Sequence, residues 1–227
     1  MQPRHGHPAV VHLHRVSRSF HGVEFSSHQL CAASIMGKGF IAGTIVMTQS
    51  GSVPIEKIKA GDRVLSRSAH GGERSYRHVI EICAHPPEYI RRLNYSREHE
   101  DGTSAIFASD QQHFWSRDTG WAKADSLPVG AELQLGEGQR ALLMLNQPVM
   151  QTGVQGVGWI QSSEWADTGT EINFAGFQLR IVAQHVARNI ALGVCEDSRL
   201  QVAVYSLRVE GAGAFYAGRH GVLSVAD

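Results

Sequence analysis

His5 with His7 and His12 with His14 form two HxH pairs near the start of the chain. On an extended strand alternate residues share a face, so each pair would bring two imidazoles together, as a Zn²⁺ or Ni²⁺ site requires. No cysteine or carboxylate stands nearby to complete a tetrahedral set. The favoured reading is therefore a solvated, frayed terminus that is rich in histidine. Cys31, Cys83 and Cys195 are odd in number and widely spaced, which fits neither a disulfide framework nor a CxxC metal site, and a reducing compartment is the default expectation. No cofactor and no metal are expected.

Charge and length narrow the classes further. Lysine plus arginine equals aspartate plus glutamate at 21 each, so no net charge draws the protein to nucleic acid or to an anionic membrane. No run of about 18 apolar residues is present, and histidine and arginine interrupt the first twenty residues where an export signal needs an apolar stretch. The expectation is a protein without a membrane span or recognisable export signal, cytoplasmic by default. At 227 residues with 42% hydrophobic content, the chain is long enough for one large domain with a proper core.

The elements that must position any chemistry read as strands. Residues 1–38 show no sustained period and are expected to form a loosely ordered leader. From Gly39 onward, short aliphatic and β-branched runs alternate with glycine, serine and aspartate. Strand candidates are TIVMT (44–48), RVLS (63–66), HVIEIC (78–83), YIRRLNY (89–95), SAIFAS (104–109), ELQL (132–135), ALLML (141–145), FQLRIVA (177–183) and VAVYSLRVE (202–210). Ile55 and Ile58 at spacing three predict one helical turn, and 180–191 also fits an amphipathic helix. The segments VPIEKIKAGDRVLS (53–66) and AKADSLPVGAELQL (122–135) share a shape: an aliphatic residue, a glycine turn, then an aliphatic strand. That likeness predicts an internal duplication of a β unit.

Taken in order, GFIAGT, VPIEKIKAGDRVLS, HFW, GWAKADSLPVGAEL and VYSLRVEGAGAFYAGRHGVL resemble the Hint domain, the module shared by hedgehog proteins and inteins. The resemblance covers residues 39–227, with 140–200 as a variable middle or insertion. It implies an all-β, horseshoe-shaped fold of short strands with a pseudo-twofold duplication. The implied activity is self-directed rearrangement and cleavage of a peptide bond, with the chain's own flanking polypeptide as substrate. In that chemistry the first residue attacks the preceding carbonyl through a hydroxyl or thiol, and a histidine of the middle motif gives a proton to the departing nitrogen.

Carried onto this chain, the resemblance places His113 at the central histidine. Asp110 stands three residues earlier, where threonine is usual; its carboxylate would hold His113 protonated or serve as a turn residue. Gly39 stands at the nucleophile position and has no side chain to attack with. At the far end Val225 and Ala226 occupy the places of the terminal histidine and asparagine, and Asp227 becomes the terminal residue if the register slips by one. Ser206, following Tyr205, is a substitute nucleophile that His113 would activate for attack on the Lys38 carbonyl, with Trp115 close by. Loss of both ends, with 38 residues before the domain and none after it, favours a degenerate domain whose cleavage is weak or absent. The alternative is a β-rich interaction or metal-binding module with no processing activity.

Overall fold

The computed structural model describes residues 38–98, 100–162, 169–174, 178–182, 193, 198–211 and 213–227. The leader, with its HxH pairs, Cys31 and Ser34, lies outside them, as does Cys195. Among the described residues the regular structure is nearly all strand, with two 3₁₀ turns. One large antiparallel sheet contains β1 (Phe40–Ile41), β2 (Ile45–Thr48), β3 (Gly51–Pro54), β4 (Arg63–Arg67), β5 (Ser75–Arg97), β6 (Ser104–Ser109), β7 (His113–Ser116), β8 (Gly120–Lys123), β9 (Glu132–Gln134) and β10 (Arg140–Pro148). It is completed by β15 (Gln201–Val209), β16 (Ala214–Ala217) and β17 (Val222–Val225). A smaller sheet is built from β11 (Met150–Gln151), β12 (Val157–Gln161), β13 (Gly169–Asn173) and β14 (Gln178–Val182).

The duplication expected from the sequence is present in the backbone. β2 and β3 form a hairpin that leads through a 3₁₀ turn at Ile55–Lys57 into β4; β7 and β8 lead through a second 3₁₀ turn, Ala124–Ser126, into β9. Each turn buries its first residue and the one three further on, Ile55 with Ile58 and Ala124 with Leu127. Gly61 and Gly130 then turn the chain at φ 92° and 93°, a left-handed conformation that glycine adopts without a Cβ penalty. β16 and β17 are split between the copies: β16 pairs with β2 and β4, while β17 pairs with β7. The main core, including Phe40, Ile55, Phe114, Leu133 and Phe215, lies between the two units.

β5 corrects the sequence reading most clearly. The sequence offers HVIEIC and YIRRLNY as separate strand candidates, with Pro86 and Pro87, which cannot donate to a ladder, between them. They form one strand of 23 residues. Against β15, His85 pairs with Val204 and Pro87 with Ala203, so the register skips Pro86, which is exposed at a bulge. A bulge absorbs one unpaired residue and lets the ladder resume. Further along, β5 exchanges β15 for β6 and β10 as its partners.

Two further expectations change. Residues 180–182 are strand, paired with β13, rather than the start of a helix; 183–191 lie outside the described residues. Cys83, 1% exposed on β5, is held in a disulfide rather than free as the cysteine spacing suggested. Residues 140–148 belong to the main sheet, whereas Val149, Ile160, Ile172 and Leu200 form a second core with Ile41, Ile90, Phe107 and Val204. No helix among the described residues is long and apolar enough to cross a membrane.

Candidate functional site

Phe40 fixes the start of the site. It is fully buried, edge-on to Phe114 and Phe215, and β1 is held between β15 and β6 by the pairs Phe40–Tyr205 and Phe40–Ala108. One residue earlier, the Gly39 carbonyl accepts a hydrogen bond from the Ser109 amide at 2.9 Å, and the antiparallel register carries Gly39 toward Ser206. Gly39 has φ 155°, and a Cβ there would lie 2.6 Å from the Tyr205 carbonyl oxygen and 2.9 Å from its carbon. Both the backbone angle and the neighbouring strand therefore favour glycine. Replacing Gly39 by cysteine requires β15 to give way, which the sequence alone did not reveal.

Ser206 belongs to a buried polar cluster. It sits on β15 opposite Cys83, and the bulge at Pro86 leaves His85 facing inward, 5% exposed. His85 Nε2 lies 2.8 Å from Ser206 Oγ and 3.4 Å from Asp227 Oδ2. The Ser206 hydroxyl donates to the Asp227 carboxylate, and the Asp227 amide donates to the Leu207 carbonyl at 3.0 Å, holding the residue beside β15. Burial pushes the Asp227 carboxyl up, but hydrogen bonds from His85 and Ser206, with the charges of His85 and Lys38, outweigh it and hold the group below the usual carboxylate range. Both Ser206 and Asp227 meet the same ring nitrogen of His85. The arrangement is a three-way contact around Ser206 Oγ, not a relay in which the carboxylate holds the far side of the imidazole.

His113 opens β7, paired with Lys123, and is half-buried. Burial lowers its pKa, as do the charges of Lys38 and Lys123, with Gln111 and Asp125 opposing. The imidazole is thus mostly neutral at pH 7, and its Nδ1 is buried without a hydrogen-bond partner. Asp110 does not turn toward it. Its carboxylate accepts bonds from Arg199 Nη1 and Nη2 at 2.6 and 2.7 Å and from Arg91 Nε at 3.0 Å. Burial raises the Asp110 pKa, but the two guanidinium groups more than offset this and lower it overall. Nor is His113 a hydrogen-bond partner of Ser206, whose side-chain partners are His85 and Asp227. The expected Asp110–His113 and His113–Ser206 contacts are thus replaced by two other sets.

Lys38 links the two sides, because its charge is felt by both His113 and Asp227. The antiparallel register, with Phe40 opposite Tyr205, sets the Lys38–Gly39 junction beside Ser206. At the far end, Val225 accepts a bond from Gln112 Nε2 at 3.1 Å, and the buried Ala226 donates to Gly213 at 3.0 Å. Val225 and Ala226 are thus both held through backbone atoms. His85 was missed by sequence reasoning because the adjoining AHPPEY looks like a strand break; its only signal was a histidine between two strongly β-forming runs. Among the described residues, no group of three histidine, cysteine or acidic side chains could hold a metal ion.

The sequence pattern of the pretoxin HINT domain matches residues 45–163, just over half of the 227. The chain belongs to the pretoxin HINT family. This Hint domain is also similar in fold to the solution structure of a bacterial intein-like domain from Clostridium thermocellum, at 21% identity and a TM-score of 0.53, over 84% of this chain and 99% of that one. The Ssp DnaB mini-intein variant M86 matches at 12% identity and a TM-score of 0.50, over 84% of this chain and 95% of that one. No curated protein matches the chain.

Proposed function

We propose that this Hint domain keeps the self-processing scaffold around the Lys38–Gly39 junction but has lost the ordinary first step of its chemistry. The observation that carries this reading is the closed space at Gly39, where a Cβ would meet the Tyr205 carbonyl oxygen at 2.6 Å. Self-cleavage with a half-life of a few hours needs a barrier near about 23 kcal/mol, and a positioned nucleophile contributes roughly 7–11 kcal/mol toward it. Without that group the ordinary route slows by about five to eight orders of magnitude. Val225 and Ala226, in the places that the resemblance gives to the histidine and asparagine, would remove the second half of the chemistry as well.

A second reading rests on the His85–Ser206–Asp227 contact. Ser206 Oγ would add to the Lys38 carbonyl carbon, its proton passing first to the cluster. The Lys38–Gly39 C–N bond then breaks, the proton ends on the Gly39 nitrogen, and residues up to Lys38 remain as an ester on Ser206. Intact-mass measurement of the full chain, with and without hydroxylamine, separates the two. The first reading expects one mass that is unchanged after a day at pH 7. A new species spanning residues 39–227 would overturn it, and disappearance of that species in Ser206→Ala would establish the second. The remaining reading, a β-rich interaction or metal-binding module with no processing activity, expects the same unchanged mass as the first.

A further inference from the structure

A cavity away from the junction carries two arginines that no carboxylate among the described residues neutralises. It has a volume of about 580 Å³ and lies between the two repeated units, with Leu65 and Arg67 on β4, Gln134 on β9 and Tyr216 on β16 among its walls. The loop after β4 supplies Glu73 and Arg74 to the rim. Its base is fixed, because the Trp121 indole donates to the Ala69 carbonyl at 3.0 Å and Ala69 fills the space beside Gly213.

The donors are specific. Arg67 Nε is buried and has no hydrogen-bond partner. The Tyr216 side chain, only 1% exposed, stands beside it in the same wall. Neither Arg67 nor Arg74 pairs with a carboxylate among the described residues, although Glu73 lines the same cavity. Gln134 is already occupied, its amide donating to the Leu135 and Gln139 carbonyls. A buried donor without an acceptor costs free energy that a suitable ligand recovers.

We propose that this cavity is a binding site for a small oxyanion, held by Arg67 and Arg74. Planar guanidinium groups match the paired oxygens of a carboxylate or a phosphate, and the cavity's volume is in the range of small-ligand sites. The site shares no residue with the Lys38–Gly39 junction, so it stands whether or not the junction is active.

Calorimetric titration of the full chain with inorganic phosphate, and separately with acetate, tests it at constant ionic strength in chloride. The expected result is saturable binding at one site, with whichever anion binds more tightly identifying the ligand as phosphate-like or carboxylate-like. Arg67→Gln and Arg74→Gln should each weaken binding by about tenfold or more, since each removes a charged donor. Arg74 is on the rim, so Arg74→Gln decides the matter even if Arg67→Gln does not fold. Heats that never saturate with either anion, or unchanged affinity in Arg74→Gln, would overturn the proposal.

Discussion

In the first repeated unit the Ile55 amide bonds the Thr44 carbonyl at 2.8 Å; in the second the Ala124 amide bonds the Gln112 carbonyl at 2.7 Å. The correspondence continues along the chain. Gln49 bonds Arg63 as Arg117 bonds Glu132, and Gly61 bonds Val79 as Gly130 bonds Leu143. Even the turn bonds agree, with Asp62 to Lys59 matched by Ala131 to Pro128. The backbones repeat while the side chains do not. At the head of β2 stands Ile45, and at the head of β7 stands His113; before them, Ala42 corresponds to Asp110 with its two arginine partners. The scaffold is therefore carried by backbone bonds present in both copies, while the histidine at the head of β7 and the arginine-bound Asp110 before it are found in the second copy only.

The largest test of that division is the core. Ile55 and Ala124 are equivalent and both fully buried. Ile55→Ala should cost about 2–5 kcal/mol through the cavity it leaves, whereas Ala124→Ile should cost about 1–3 kcal/mol through crowding; denaturant unfolding measures both. If the two substitutions had equal and negligible effects, the units would not share a tightly packed core.

The charged tie of the second unit comes next. Asp110→Asn leaves Arg91 and Arg199 without their carboxylate and should cost about 1–3 kcal/mol, because the pair is mostly but not fully removed from water. In the first unit the nearest counterpart is one hydrogen bond from the Gly43 amide to Glu56 at 2.7 Å, so Glu56→Gln should cost about 1 kcal/mol or less. Equal losses would mean that the polar asymmetry has no energetic consequence.

Gly61→Ala and Gly130→Ala sharpen the comparison from the other direction. A Cβ at either meets no atom within 4 Å, so only the left-handed backbone is penalised, by about 1–2 kcal/mol. The two losses should agree within experimental error.

The smallest effect is on pH dependence. The folded-state pKa of His113 lies below the ordinary 6.5 because burial disfavours its charge. As pH falls below 6.5 the unfolded chain takes up the proton first, so the stability that neutral His113 confers above this value is lost on acidification. His220, also lowered by burial and by Arg97, adds to the same slope. His113→Ile, which installs the residue of the first unit, should make stability fall less steeply just below pH 6.5. The steeper loss from about pH 4 downward should remain, because there the unfolded chain's carboxyls take up protons while Asp110 and Asp227 of the folded protein, held below the usual range, do so only at lower pH.

Much of this was legible in the residues. Ile55 and Ile58, the glycine turn and the strand after it predicted a repeated unit, since local geometry and hydrophobic spacing are short-range properties of a sequence. His113 was legible by its motif. The partners of the polar residues were not. Asp110 finds Arg199, 89 positions away, and Ser206 finds His85, 121 positions away; no local pattern encodes such pairings.

By itself, then, the sequence determined an all-β chain with two copies of one unit, because propensity and spacing act over a few residues. Only the tertiary structure decided that β5 runs unbroken through two prolines, that a Cβ at Gly39 would meet Tyr205, and that Ser206 meets Asp227 and His85. Those outcomes depend on which strands lie side by side, and that is settled by burial of the core across the whole chain.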